Sequence, residues 1–479
     1  MTAEQTKIAE ESHVKAPWLN VYGVVPPHLD YPDCTMYEAV ERCAETYPNH
    51  TAYVFMGRKT TYRAMAAEID LCARALKATG VRPGDKITMA MPNCPQAIYM
   101  FYAVNLVGGI ANMIHPLSAE KEIEFYLNAS ESTTAITLDQ FYDKFEHIRQ
   151  NTKIINIIIA SVKDALSRTI RAGYMLTEGR KIQKIPEDAP VIRWREFMEM
   201  SRYCFYKNYR VERGFDDPAV ILYSGGTTGT TKGIVLTNGN FNALGQQIIA
   251  TNPMFRPGDR MLAAMPLFHG FGLGVCVHSM LSQGGRCILI PRFTAKSYAK
   301  QIVKYKCNFI AGVPTLYEAL LRLPSMDGAN LSSLKGVFSG GDSLSIELKK
   351  KFDKFLYDHK ASIQVREGYG TTDAECAAAW GFEIPENGTA ADLWQAITEK
   401  YGNVIADMEG ETAGSSLQDL IDEQLGDKAE DYKALVATSS VDSISGVIRT
   451  GDYSLTIHMT EFDATSIYNM SFTVVPLHY

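Results

Sequence analysis

Residues 223–232 read Tyr-Ser-Gly-Gly-Thr-Thr-Gly-Thr-Thr-Lys and run on into Gly233, Ile234 and Val235. These residue types suit one task. Gly225, Gly226 and Gly229 let backbone N–H groups turn toward a single anion, Ser224, Thr227, Thr228, Thr230 and Thr231 add hydroxyl donors, and Lys232 adds a cation. The expected chemistry is a cradle for a polyphosphate. It is not the Walker arrangement, because Lys232 is followed by Gly233, which has no hydroxyl to hold a magnesium ion. A solvent-exposed Gly/Thr linker is the plain alternative. Such a linker needs neither the apolar strand expected over 219–222 nor a lysine at its end. The cradle is expected ahead of a helix, read over 240–250.

Other stretches carry chemistry at the ends of expected strands. Residues 265–270 are Met-Pro-Leu-Phe-His-Gly, placing His269 just past a strand over 260–265. Residues 337–342 are Val-Phe-Ser-Gly-Gly-Asp, a strand breaking into the turn Gly340, Gly341 and Asp342, and residues 366–373 are Arg-Glu-Gly-Tyr-Gly-Thr-Thr-Asp. An open α/β sheet gathers its ligand outside the carboxyl ends of its strands, where these turns fall. Taken singly, His269 reads equally as a core histidine with satisfied hydrogen bonds, and Asp373 as a turn-capping residue.

The elements that must position these residues alternate. Helical periodicity begins at Met36 (Ala39, Val40, Cys43, Ala44) and is followed by a strand over 51–56, a turn over 57–59, a helix over 62–79, a strand over 86–91, a helix over 96–106 and an apolar run over 110–114. Beyond the Gly/Thr loop come a Gly-rich apolar helix over 271–281, a strand over 286–290, a helix over 295–305, a strand over 309–312 and a helix over 316–323. This alternation with short Gly/Pro turns predicts an α/β fold with mostly parallel sheets covered on both faces. Residues 1–34, polar and proline-marked, read as an arm that packs through Trp18, Val21 and Tyr22. Residues 163–184 interleave Arg168, Arg171, Arg180, Lys181 and Lys184 with Leu166, Ile170, Tyr174 and Leu176. Such a basic amphipathic segment suits an anionic membrane surface or an acidic partner, or is simply a solvated helix face.

At 479 residues the chain is long enough for more than one domain, and 46% hydrophobic with 21% charged residues is ordinary for a soluble globular protein. No apolar run is long enough to span a bilayer and the first residues form no signal-peptide core, so a cytoplasmic location is expected. Nine scattered cysteines without a Cys-x-x-Cys pair argue for reduced thiols rather than a disulfide framework or zinc site. The net charge of −7 hides an asymmetry: residues 382–479 carry 17 acidic and 4 basic side chains and no cysteine. That shift places a boundary near Gly381. Nucleic acid is not an expected partner, since the basic residues form no stripe interleaved with aromatics.

The motifs together, in their order and spacing over residues 35–380, resemble the adenylate-forming superfamily, and within it the fatty-acid and medium-chain acyl-CoA ligases. The resemblance implies a multilayer adenylate-forming core over 35–381 and a two-step reaction. A carboxylate attacks the α-phosphate of ATP to give an acyl-adenylate and pyrophosphate, and the thiol of coenzyme A then displaces AMP. Ser224, Thr227, Thr228 and Lys232 would hold the phosphates with magnesium. Tyr369 would stack on adenine, Gly340, Gly341 and Asp342 would run along the purine, Gly370 would allow close approach of the acyl group, and Thr372 would contact the α-phosphate. Asp373 stands where the family usually has a glutamate magnesium ligand, with Glu375 as a substitute. His269 would line the acyl pocket, and Gly270, Gly272 and Gly274 would leave room for an aliphatic chain.

Beyond Trp380 the resemblance ends. Residues 382–479 are expected to form a small acidic α+β tail unlike the family's C-terminal lid, with helices over 393–408 and 417–435 and a hairpin pairing 446–457 with 466–475. Thr450, Gly451 and Asp452 spell the tripeptide of the family's ribose-binding aspartate, and equally spell hairpin-turn chemistry. The leading reading is an ATP-dependent ligase joining a fatty or other aliphatic acid to coenzyme A, its thioester step impaired without the usual lid. The alternatives are adenylation of an amino or aryl acid for a carrier protein, and a non-catalytic nucleotide or acyl-adenylate binder.

Overall fold

The computed structural model describes residues 25–26, 28–204, 208–224, 231–291 and 293–368, together with the backbone of 447–451 and 454–457. Two compact units are distinguished: Val24–Ser224 with Gly233–Glu375, and Met1–Gly23 with Gly225–Lys232 and Cys376–Tyr479.

The strands in chain order are β1 (Thr51–Phe55), β2 (Arg58–Thr61), β3 (Lys86–Ala90), β4 (Ile110–Met113), β5 (Thr134–Leu138), β6 (Asn156–Ala160), β7 (Ile192–Arg193), β8 (Pro218–Ser224), β9 (Lys232–Thr237), β10 (Arg260–Ala263), β11 (Arg286–Leu289), β12 (Phe309–Gly312), β13 (Gly336–Ser339) and β14 (Val365–Glu367). One seven-stranded sheet runs β14-β13-β12-β10-β11-β1-β2 and the other β7-β6-β5-β3-β4-β8-β9. The recorded pairings in both are parallel apart from the β1–β2 hairpin. Parallel strands are covered on both faces, so they must be apolar along their length; β5 is buried throughout and Ile157–Ala160 of β6 likewise.

Helices begin where the sequence supplies caps. At Met36–Thr46 the Thr35 hydroxyl accepts from the Glu38 N–H (3.1 Å) while Glu38 accepts from the Thr35 N–H (2.7 Å), a reciprocal capping box. The helix Tyr62–Ala78 buries Tyr62, Met65, Ile69, Cys72, Ala73 and Leu76, the spacing of a single apolar face. The helix Pro95–Leu106 differs: every residue but Tyr99 is buried, as expected of an element enclosed on all sides. It leaves β3 of one sheet, and its Tyr99 is hydrogen-bonded to Tyr53 on β1 of the other.

Each sheet reverses its winding at one strand. From β10 the chain passes to β11 on one side and then to β12 on the other, and from β3 it passes to β4 on one side and to β5 on the other. Such switch points open a crevice at the carboxyl ends, because successive connections leave on opposite faces. By that rule a ligand is to be sought beside the loops leaving β3 and β10.

Several expectations need correction. Ahead of the helix read over 240–250, which runs Asn238–Ala250 behind the Thr237 cap, stands a strand that the sequence reading leaves out, β9, carried by the β-branched Ile234, Val235 and Thr237. The turn read over 57–59 is shorter, because Arg58 and Lys59 already belong to β2. In the other unit, β15 (Val447–Gly451) pairs antiparallel with β16 (Ser454–Ile457), so the stretch read as one strand over 446–457 is itself a hairpin. Its expected partner over 466–475, the helices over 393–435 and the N-terminal arm lie outside the described residues.

Candidate functional site

The loop leaving β10 is held by a side chain from the other sheet. Asn93, just past β3 and 4% exposed, donates through Nδ2 to the carbonyls of Ala263 (3.0 Å) and Met265 (2.7 Å), and its Oδ1 accepts from the Leu267 N–H (3.0 Å). Phe268, the next residue, packs its ring 4.3 Å from that of His115, which follows β4. His115 is fixed in turn by the Leu117 N–H donating to its Nδ1 (2.8 Å). The exits of β3 and β4 thus both grip the exit of β10.

On its other side the loop meets a π-helix, Phe271–His278. Wide turns of this kind are rare and concentrate at functional sites. A Cβ on Gly272 would sit 2.0 Å from the Pro266 carbonyl oxygen, and one on Gly274 would sit 2.5 Å from Leu244 Cδ2. This overturns the reading of these two glycines as room for an aliphatic chain. The space beside them is filled by protein, and what they provide is close approach of the helix to the loop.

His269 sits between loop and helix. Its Nδ1 accepts from the Phe271 N–H (3.2 Å), which leaves Nε2 to carry the proton of the neutral ring. The ring has an exposed edge, and the protein packed around the remainder lowers its pKa from the ordinary histidine value. Phe271 then reaches the second motif: its Cζ lies 3.4 Å from where a Cβ on Gly340 would stand.

Gly340 and Gly341 leave the end of β13, where Gly312, Ser339 and Glu367 lie in register across β12, β13 and β14. Gly341 has φ +76°, a conformation that favours glycine, and a Cβ on Gly340 would approach the Gly368 carbonyl oxygen to 3.3 Å. The turn is pinned by the Leu344 N–H donating to Glu367 (2.8 Å) and the Gly368 N–H donating to the Ser339 carbonyl (2.7 Å). Asp342 is exposed, with its Oδ1 accepting from the Ser343 N–H (2.7 Å). Of the sequence-derived candidates, His269, Gly340, Gly341 and Asp342 therefore stand at carboxyl ends of the first sheet, linked through Phe271.

The residues flanking the Gly/Thr loop are placed separately. Ser224 closes β8 and Lys232 opens β9 with its side chain exposed. Tyr223 packs on Tyr126 with ring centroids 4.3 Å apart, and burial pushes its hydroxyl up to about 12. Gly225, Gly226, Thr227, Thr228 and Gly229, and likewise Tyr369, Gly370, Thr372, Asp373 and Asp452, lie outside the described residues. Among the described residues no group of three or more His, Cys, Asp or Glu is arranged to hold a metal ion. Asn93, His115 and Glu367 were not singled out in the sequence. Their partners are remote in the chain, and no local pattern marks them.

Residues 40–409 match the family model described as AMP-binding enzyme. A long-chain-fatty-acid–CoA ligase of Bacillus subtilis (strain 168) is 31% identical over 361 residues, covering 75% of this chain and 63% of the relative. One of Salmonella typhimurium is 28% identical over 372 residues, covering 76% and 65%. The chain thus spans less than two-thirds of the length of these relatives. Among solved structures, the anthranilate CoA ligase AuaEII in complex with anthranoyl-AMP superposes with a TM-score of 0.61 at 23% identity, over 72% of this chain and 61% of that one. The long-chain-fatty-acid-CoA ligase FadD1 from Archaeoglobus fulgidus gives 0.60 at 21% identity, over 73% and 66%. At these identities the structural likeness speaks for the fold. With two mostly parallel sheets, a glycine turn at the carboxyl end of β13 and a sequence match over most of its length, this chain belongs to the AMP-binding enzyme family.

Proposed function

We propose that the chain activates an aliphatic carboxylic acid at the expense of ATP and transfers the acyl group to coenzyme A. The observation that carries this reading is the contact of Phe271 with Gly340, which joins the loop bearing His269 to the glycine turn over 340–342. The names of the two sequence relatives favour a fatty acid over an amino or aryl acid. In the first step a carboxylate oxygen bonds to the α-phosphorus as the bond to the pyrophosphate oxygen breaks. In the second, the thiol sulfur bonds to the acyl carbon and AMP leaves. Magnesium would supply charge neutralisation on the phosphates, a task Lys232 shares as a cation and the loop over 224–231 as donors. A neutral His269 suits an acyl pocket, because it places no charge beside an alkyl chain.

Residues 410–479 lie beyond the family match, and we place the slower step at thioester formation. The test is pyrophosphate release from ATP and magnesium with decanoate, alongside benzoate and an amino acid, and with thioester formation followed separately. Decanoate should stimulate release most, and Lys232→Ala should lower it by a factor on the order of 100. Release driven by an aryl or amino acid instead, or unchanged by Lys232→Ala, would remove this reading.

A partner surface goes with it. The helix Arg168–Leu176 has no buried residue, Leu176 is 62% exposed, and a Cβ on Gly173 would meet nothing within 4 Å. Nine residues are too few for a helix to be stable without packing, so its apolar face calls for cover. Arg168, Arg171 and Arg180 beside it favour an anionic lipid surface. Co-sedimentation with phosphatidylserine vesicles but not with phosphatidylcholine vesicles is expected, and failure to bind either would dismiss it.

A further inference from the structure

The carboxyl ends of the two sheets are laced together at their switch points, and the lacing acts on one loop. Asn93 leaves β3, the strand at which the second sheet reverses, and spends all of its recorded hydrogen bonds on the backbone over 263–267, where β10 of the first sheet ends. His115 leaves β4, the neighbour of β3, and packs its ring at a tilt of 52° against Phe268. The Pro266 carbonyl accepts from the His269 N–H (3.2 Å) and is closed in from the other side by Gly272. His269 therefore hangs from a segment whose course is set by two side chains of the opposite sheet.

We infer that Asn93 and His115 are positioning residues for carboxylic-acid binding, acting through the 264–269 loop. The inference rests on the proposed function, in which His269 lines the acyl pocket. Apart from its contact with Phe271, the glycine turn over 340–342 is fixed within β12, β13 and β14 and by Glu367. Loss of either brace should therefore be felt by the acid and spared by the nucleotide. An ordinary structural role would weaken both ligands alike.

The experiment is calorimetric titration of the full chain with decanoate and, separately, with ATP, for the wild type, Asn93→Ala and His115→Ala. Asn93→Ala should weaken decanoate by roughly tenfold or more, since a displacement of about 1 Å can cost far more than that in a preorganised site. His115→Ala removes an aromatic contact and should weaken decanoate by about threefold to tenfold. ATP affinity should stay within about twofold in both, against the larger loss expected of a displaced site. Because His115 is exposed, that variant keeps the test decisive even where Asn93→Ala fails to fold. Wild-type decanoate affinity in folded variants, or equal losses for decanoate and ATP, would overturn the inference. A wild type that binds ATP and no decanoate would sink the aliphatic-acid reading itself and this inference with it.

Discussion

Asn93 Oδ1 accepts the Leu267 N–H at 3.0 Å across a separation of 174 residues, and the same amide closes on two carbonyls of the same loop. One buried side chain thus meets three backbone groups; the Ala263 carbonyl also accepts the Ile290 N–H (3.3 Å), whereas the Met265 carbonyl and the Leu267 N–H depend on Asn93. Truncation to alanine leaves the latter two without this partner inside the protein, where each unmet group costs on the order of 1–3 kcal/mol. Asn93→Ala should lower stability by about 2–4 kcal/mol in urea denaturation, with the slope of the transition unchanged. A loss below about 0.5 kcal/mol would mean that water replaces the amide at little cost.

The glycines make opposite predictions. A methyl group on Gly272 would collide with the Pro266 carbonyl, a backbone atom that cannot rotate away, so Gly272→Ala should cost at least about 2 kcal/mol. At Gly173 nothing lies within 4 Å, and alanine there should raise stability by up to about 1 kcal/mol through helix propensity alone. Thermal melts of the two variants should move in opposite directions.

His278 carries a pH dependence. It is fully buried, its Nδ1 accepting from the Tyr102 hydroxyl (3.1 Å) and its Nε2 donating to Asn242 Oδ1 (3.0 Å), and burial pushes its pKa down to about 3. In the unfolded chain it titrates near 6.5, so between about pH 6.5 and 3 the unfolded state holds the extra proton and stability falls as pH falls. This contribution is fully present above pH 7 and declines by about 1.4 kcal/mol per pH unit inside the window. His278→Gln, which cannot take up that proton, should flatten the stability profile by one proton between pH 6 and 4. An unchanged slope would assign the acid sensitivity to other groups.

Thiol reactivity should be selective. Of the eight described cysteines, Cys204 is partly exposed and the others are buried. Burial pushes the thiols of Cys94, Cys276 and Cys307 up to about 12, which suppresses the reactive thiolate. Mass spectrometry after brief iodoacetamide treatment should find Cys204 modified and Cys94, Cys276, Cys287 and Cys307 intact until denaturant is added. Rapid labelling of any of those four would contradict the packing described here.

Much of this architecture was legible because its signals are local. Ala219–Leu222 is a short apolar run and lies buried in β8; Gly340 and Gly341 break a strand and the second has positive φ; Thr35, Thr61 and Thr237 cap the helices that follow them. Where the reading failed, the deciding partner was distant. Gly272 and Gly274 look like vacated space until Pro266 and Leu244 are seen to fill it. The strand β9 was overlooked because glycines and threonines ahead of it suggested a phosphate loop that opens a helix, while Ile234 and Val235 prefer extended backbone. Nothing near Asn93 in the chain announces Leu267, and the expected roles of Tyr369, Thr372 and Asp373 rest on their motif alone.

The brace from Asn93 touches only main-chain atoms, and this separates two properties that usually constrain each other. Side chains along the gripped segment can be exchanged without disturbing the grip, so the surface there can change by substitution while one asparagine preserves the frame. Variety belongs to the held residues, and durability to the holder.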